Sequence, residues 1–177
     1  NAWTGNDFTM YPFSTCNEKD FKNLLRVYLD ATFNPLITYE DFLQEGVRLE
    51  FKEFGNLKSD LEYKGVVFNE MKGQHSNPDY KLFTYAIQSL YPDTIYANSS
   101  GGDPKVMPSL TYEQFKNFHD TYYHPSNSLI YFYGDDDEEE RLRYLDTWLR
   151  DFDARPVEKK TPVQPRFDAP RRLVYEY

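Results

Sequence analysis

Cysteine is nearly absent from this chain. A single residue, Cys16, excludes an internal disulfide framework and a cysteine-built zinc knuckle. Histidine is scarce as well: His75, His119 and His124 are the whole set. No two of them stand four residues apart, so no helix offers two imidazoles to one metal. Long apolar runs are missing, and nothing approaches the roughly 18 residues of a membrane span. No signal or transit peptide is visible, although the chain starts at Asn1 without a methionine and directly in strand-like sequence. It reads as a piece of a longer polypeptide, so that absence carries no weight. Positive charge is in deficit, with 20 Lys and Arg against 29 Asp and Glu and a net charge of −9. The basic stripe of a nucleic-acid binder is therefore lacking. The acidic balance suits a cationic ligand and equally an ordinary soluble protein. There is no G-x-S-x-G elbow, and Cys16 lacks a basic partner at a helix N-terminus. The Ser99-Ser100-Gly101-Gly102 loop follows no clear apolar strand, and Asp103 would repel a phosphate.

What the chain does have is aromatic mass, with 16 Tyr and 14 Phe in 177 residues that are 40% hydrophobic and 28% charged. That suffices for one globular domain with a real core. Asn1–Thr4 and Phe8–Thr15 read as a hairpin turning at Gly5-Asn6-Asp7. Asn17 caps a helix bearing Phe21, Leu24, Leu25, Tyr28 and Leu29, which Pro35 ends. Thr38 starts a shorter helix that stops near Gly46. Val47 to Phe54 alternates as a half-buried strand with Val47, Leu49 and Phe51 inward. After a polar loop at 55–60 come a helix over Gly65–Gly73 and another from Pro78 to about Leu90. Asn98–Pro108 is a loop, Thr111 caps a helix, and His124-Pro125-Ser126-Asn127 is a turn. Ser128–Tyr133 reads as a strand. The six acids Asp135–Glu140 suit the positive end of a helix macrodipole. Four prolines between Arg155 and Pro170 mark a linker, and Arg171–Tyr177 reads as the strand that follows it. Taken singly, each histidine reads as structural, with His124 fixing its turn.

One stretch poses a chemical question. In Lys64-Gly-Val-Val-Phe-Asn-Glu-Met-Lys-Gly73, Val66 and Val67 lie four and three residues before Glu70, so a helix puts all three on one side. An ionised carboxylate buried beside two valines costs several kcal/mol unless paired or bound to metal. A salt bridge, for instance to Arg48, or a helix rotated so that Glu70 reaches water, is the plainer account of these ten residues alone.

Several blocks together resemble one family. They are N-A-W-T at 1–4, Y-P-F-S-T at 11–15, K-D-F-K-N-L-L-x-V-Y-L-D-A-T-F at 19–33 and Q-E-G-V-R-L-E at 44–50. K-G-V-V-F-N-E-M-K-G at 64–73, S-G-G-D-P at 100–104 and Y-H-P-S-N-S at 123–128 complete the set. This is similar to the presequence protease group of the pitrilysin and insulin-degrading class of inverted zincins, over the whole chain. The likeness implies an α+β fold of the pitrilysin type (LuxS/metallohydrolase-like), mostly antiparallel sheet with helices packed on one face, and with its N-terminal part missing here. It implies that residues 1–154 form the larger, C-terminal part of the first, zinc-bearing domain. Residues 155–170 would be the Pro-rich linker and 171–177 the first strand of the next domain.

By the same resemblance the whole protein is an ATP-independent zinc metalloendopeptidase of mitochondrial matrix or plastid stroma, monomeric and with one Zn2+. It encloses unfolded peptides such as cleaved targeting presequences in a chamber. Glu70 matches the third zinc ligand, and Asn1 and Ala2 match a sheet edge on which substrate backbone is laid as an added strand. The inverted H-x-x-E-H is not in this chain, so no catalytic residue is assigned here, and this segment alone is expected to be inactive. Its partners would be peptide substrates and the remainder of its own polypeptide, with no nucleic acid and no membrane span. Asn34, Cys16 and Val47 depart from the family pattern without touching the metal ligand. Two other readings stand beside the enzyme: a non-catalytic scaffold like the protease-derived core subunits of respiratory complexes, and a peptide-binding module.

Overall fold

The computed structural model describes residues 1–157 and 161–176. In chain order it holds β1 (Trp3–Thr4), β2 (Thr9–Met10), α1 (Glu18–Phe33), α2 (Tyr39–Asp41), β3 (Arg48–Phe51) and β4 (Leu61–Lys64). Then follow α3 (Val66–Gln74), α4 (Pro78–Leu90), α5 (Tyr112–Tyr122) and α6 (Glu138–Leu149). A π-helical turn over Phe42–Gly46 continues α2, and short 3-10 turns cover Ile95–Ala97, Met107–Ser109 and Pro125–Asn127. The mixed α+β class is therefore as expected. The chain gathers into two compact units, one formed by Asn1, 11–36 and 113–159, the other by 2–10, 37–112 and 160–177.

Local chemistry explains where most helices begin. The Asn17 side chain accepts the Asp20 amide at 3.1 Å and caps α1. Thr38 and Asp41 form a reciprocal capping box, with amide-to-side-chain bonds of 3.1 and 2.9 Å. Asn77 caps α4, and Pro78 occupies its first turn. Asp137 caps α6 by accepting the Glu140 amide, so part of the acid run serves as cap and first turn.

In the first unit, α1 buries Leu25 and Leu29. Phe13 packs its ring 5.7 Å from Phe21 and 4.9 Å from Tyr28, and Phe33 lies 5.9 Å from Phe152. Lys22 of α1 pairs with Glu140 of α6 at 2.8 Å. Arg141 holds Asp136 and lies over the Phe132 ring.

The core of the second unit is Val47, Phe68, Met71 and Met107, with Val67 and Tyr80 packed against it. Two features fix α3 there. Phe68 and Met71, one turn apart, face the cluster. Gly65 opens the helix with its Cα against the carbonyl of Gly46, where a Cβ would overlap that group.

Four expectations need correction. A single antiparallel sheet with helices on one face is not formed by the described residues. The strands make two separate two-stranded antiparallel ladders, Trp3–Thr4 with Thr9–Met10 and Arg48–Phe51 with Leu61–Lys64. Ser128–Tyr133 joins no ladder, because no other described strand lies alongside it. Its alternation survives: Leu129, Tyr131 and Tyr133 are exposed while Ile130 and Phe132 are half-buried.

The strand at 48–51 turns the opposite way from the hydrophobic expectation. Val47 is buried, but Leu49 and Phe51 are exposed, as are Leu61 and Tyr63 opposite them. The half-buried face carries Arg48, Glu50, Glu62 and Lys64. Glu50 and Glu62 stand directly opposite, a like-charge pairing that disfavours a hairpin. Lys64 offsets it by bonding both, at 3.4 and 3.1 Å, and Arg48 adds 3.0 Å to Glu50. The Arg48 hydrogen bonds, more than Lys64, hold the Glu50 carboxyl below its ordinary range.

Finally, 171–176 is not a strand. It lacks a backbone partner and docks by side chains instead. Tyr175 stacks on Tyr85 with centroids 4.3 Å apart, and Arg171 donates to the Ser89 carbonyl. Tyr177, the end of that expected strand, and residues 158–160 of the expected linker lie outside the described residues. The rest of 155–170 is irregular yet anchored: Arg155 donates to the Asp120 and Thr121 carbonyls, and Gln164 pairs with Asp93.

Adding one methyl group should show how tightly α3 is seated. Gly65→Ala is expected to destabilise the protein by about 1–3 kcal/mol through overpacking, read as a lower urea midpoint; an unchanged midpoint would mean that the Gly46 contact does not hold the helix. The two small cores also bear on the isolated chain. With Leu82, Phe83, Leu129, Tyr131 and Tyr133 all exposed, residues 1–177 alone are expected to melt without a sharp cooperative transition, and a steep calorimetric transition would contradict this.

Candidate functional site

Helix α3 positions the one carboxylate that the sequence singles out. Seating Phe68 and Met71 in the core rotates Val66, Asn69 and Glu70 outward, and all three are exposed. The inward-facing glutamate expected from the valines is thereby overturned. The core selected the Phe68/Met71 stripe over the Val66/Glu70 stripe because the larger side chains bury more apolar surface. Glu70 instead accepts a hydrogen bond from Gln74, one turn on, at 3.3 Å. Arg48 is not its partner; that guanidinium is engaged by Glu50 and the Leu43 carbonyl.

Among the described residues, no group of three His, Cys, Asp or Glu side chains is arranged to hold a metal ion. The donor set present therefore does not fit a zinc centre by itself: one solvated carboxylate is at most one ligand of a four-ligand site.

The histidines hold structure. His119 Nε2 lies 2.9 Å from the Thr32 carbonyl, and its ring stacks on Tyr123 at 4.4 Å. Tyr123 shares a 2.8 Å hydroxyl contact with Tyr11, whose pKa is pushed upward by burial first and then by that neighbour. His75 follows α3, with its ring 5.0 Å from Tyr80 and a buried Nε2 that has no hydrogen-bond partner among the described residues. His124 caps the 3-10 turn after α5, its Nδ1 accepting the Ser126 amide at 3.1 Å.

Asn1 and Ala2 are exposed and precede β1, whose ladder starts with Trp3 opposite Met10. In the two-stranded sheet β1-β2, each strand has one outer edge unpaired among the described residues. Such an edge can accept an added strand.

Two clefts complete the picture. One, of about 640 Å³, is lined by Asn34, Thr147, Trp148, Asp151 and Phe152. The other, of about 320 Å³, is lined by Asn6, Phe83, Ile87, Tyr91 and Tyr96. No motif in the sequence marks these lining residues. The spacing of Phe83, Ile87 and Tyr91, four residues apart each time, was the available signal.

Comparison with known proteins now bears on this geometry. Residues 109–176 match the sequence model of a family described as Peptidase M16 inactive domain. The chain is 49% identical over its full length to presequence protease 1, chloroplastic/mitochondrial, of Arabidopsis thaliana. It is 47% identical over 98% of its length to the mitochondrial presequence protease of Mus musculus. It is also 44% identical over its full length to protein HypA of Clostridium perfringens. The chain spans only about a sixth of the length of these relatives, 16%, 17% and 18% respectively. The likeness to presequence proteases read from the sequence blocks is thus borne out along the whole chain. Names of the plant and animal relatives carry the mitochondrial or plastid address that the likeness implied.

Among the histidines, His124 yields a measurable consequence. Burial, and secondarily the Arg155 charge, hold its pKa below the ordinary histidine value. The unfolded chain then binds more protons than the folded one between the two values, so this contribution to stability is present above the ordinary value and fades as pH falls through the folded one. By NMR, His124 should titrate below an exposed histidine, and Arg155→Gln should raise its midpoint part of the way. A midpoint at or above the ordinary value would refute the assignment.

Proposed function

We propose, taking the whole-chain likeness to presequence proteases as the premise, that this chain is part of a zinc metalloendopeptidase of mitochondria or plastids. Its substrates are unfolded peptides such as cleaved targeting presequences, degraded without ATP inside a closed chamber. Glu70 is its contribution to the metal centre, as the third zinc ligand, and the ligand set is completed by side chains outside this chain. Asn1 and Ala2 supply the sheet edge for substrate backbone. Residues 1–154 belong to the zinc-bearing domain, 155–170 to the linker and 171–177 to the domain that follows. The complete protein acts as a monomer.

The observation that carries this reading is the 47–49% identity to presequence proteases along nearly the whole chain; Glu70, on the solvent face of α3, is compatible with it. Glu70 lies within N-E-M-K-G, points to solvent, and is bonded only weakly to a neutral glutamine. Among the described residues Glu70 has no cationic partner, which leaves its carboxylate open to a metal presented to it. Zinc, when bound, polarises a scissile carbonyl and lowers the pKa of its water. The open edge of β1 supports the substrate role, since backbone pairing tolerates many sequences.

One finding favours a second reading. The matched family is described as an inactive domain, which fits a non-catalytic scaffold. The match covers 109–176 and leaves Glu70 outside it.

Glu70→Gln in the complete polypeptide separates the two. The enzyme reading expects zinc content, by metal analysis, and peptide turnover to fall together. The loss should exceed the roughly 10–100-fold incurred when a mere hydrogen-bond partner of a ligand is removed. The circular dichroism spectrum should be unchanged, because Glu70 packs against nothing. Full zinc occupancy and full turnover in the variant would rule out the assignment.

A further inference from the structure

The aromatic cleft of the second unit is used by nothing described so far. Phe83 and Ile87 line one side from a single face of α4, and Tyr91 ends that face as the residue capping the helix. Tyr96 closes it from the following 3-10 turn, its ring edge-on to Tyr91 with centroids 6.0 Å apart. Asn6, in the turn of the β1-β2 hairpin, forms the last wall; its amide donates to the Asn98 carbonyl at 2.6 Å and locks the turn onto that loop. Phe83 is 65% exposed, so a large ring face remains open to a ligand.

Two carboxylates stand beside this cleft, while the one guanidinium placed near it, that of Arg171, is directed at the Ser89 carbonyl among the described residues. Asp7, next to Asn6, receives the Tyr96 hydroxyl at 2.9 Å. Asp93, two residues past Tyr91, is held by the Gln164 amide at 2.7 Å. Both carboxylates are bonded to neutral donors, and among the described residues neither takes part in an ion pair. No lysine or arginine is among the lining residues. Ring faces with an adjacent uncompensated carboxylate are complementary to a planar cation: the rings attract it through their quadrupoles and the carboxylate takes its N–H groups.

We infer that this cleft is a subsite for an arginine side chain of an unfolded peptide, the guanidinium lying on the Phe83, Tyr91 and Tyr96 rings and reaching Asp7. The inference deepens the proposed function and rests on it for the peptide nature of the ligand. Targeting peptides are rich in arginine and poor in acids, so such a subsite would favour that class over neutral peptides while leaving backbone pairing indifferent to sequence.

The test uses the complete polypeptide, stripped of metal by chelation so that peptides are bound and not cut. The probes are two fluorescein-labelled Gly/Ser peptides, identical except that one carries arginine and the other citrulline, its neutral isostere. Fluorescence anisotropy should give roughly fivefold tighter binding of the arginine peptide at low salt, the scale of an exposed cation–π contact plus one surface ion pair, with the preference shrinking as salt is raised. Asp7→Asn, which can still accept the Tyr96 hydroxyl, and Phe83→Ala, at an exposed position, should each remove the preference. Equal affinities for the two peptides, or a preference that survives in either variant, would overturn the subsite. Hydrolysis of the citrulline peptide by the metal-replete protein reads the peptidase assignment separately, so failure of one proposal is told apart from failure of the other.

Discussion

The seating of α3 decides the candidate chemistry. Phe68 and Met71 are drawn into a cluster with Val47 and Met107, and Gly65 rests on the Gly46 carbonyl. Together these fix both where the helix begins and how it is rotated. Every outward position then follows from 3.6 residues per turn, including Glu70. A rotation of about 100°, one residue's worth, would carry the glutamate toward the cluster and lift one of the two anchors out. The core energy set against that is large compared with the single 3.3 Å bond Glu70 makes to Gln74. Packing, not the carboxylate, is therefore in control.

Much of the architecture was legible because it rests on neighbours in sequence. Asn17, Thr38 with Asp41, Asn77 with Pro78, and Asp137 each act within three or four residues, and each is found capping as its pattern indicates. The hairpin at Gly5-Asn6-Asp7 is equally local. The misreadings concern choices made at long range. Val66 with Glu70, and Phe68 with Met71, are rival stripes on one helix, Val67 packing with the second, and the residues packed opposite, Val47 and Met107, select between them. Leu49 and Phe51 alternate like a buried face, but among the described residues β3 pairs only with β4 and both side chains stay exposed, the cover on that side reaching only Val47 and, through Phe68, Tyr63. Ser128–Tyr133 has strand composition and alternation, yet strand identity belongs to a pair and not to a segment.

Electrostatics follows the same division. Charges that neighbours can satisfy are satisfied: Lys22 with Glu140, Arg141 with Asp136, and Lys64 across the Glu50–Glu62 confrontation. The exposed Lys22–Glu140 pair contributes little stability, whereas the Lys64 and Arg141 pairs are half-buried; all of them neutralise local charge. Several carboxylates, Glu45 and Glu53 among them, are bonded to neutral groups instead, and three of this kind bear on the proposals. Glu70, Asp7 and Asp93 are all bonded to neutral side chains only. Two of those three adjoin an aromatic cleft, and the third stands on α3, within the N-E-M-K-G block.

If Glu70 is the ligand proposed above, its exposure also bears on what a metal would do for the fold. In small zinc modules the ligands are disordered until metal binds, so binding energy and folding energy are one quantity. Here α3 is anchored by Phe68, Met71 and Gly65 without help from Glu70, and the carboxylate requires no burial that a metal would have to compensate. Solvation keeps the unbound state inexpensive, because water stabilises the ionised group directly. The helix thus presents Glu70 on its solvent face without a metal, and in the proposed function the free energy of metal binding would not be diverted into folding α3. Preorganisation by apolar packing on one face, with a solvated donor on the other, separates the stability of this segment from its chemistry.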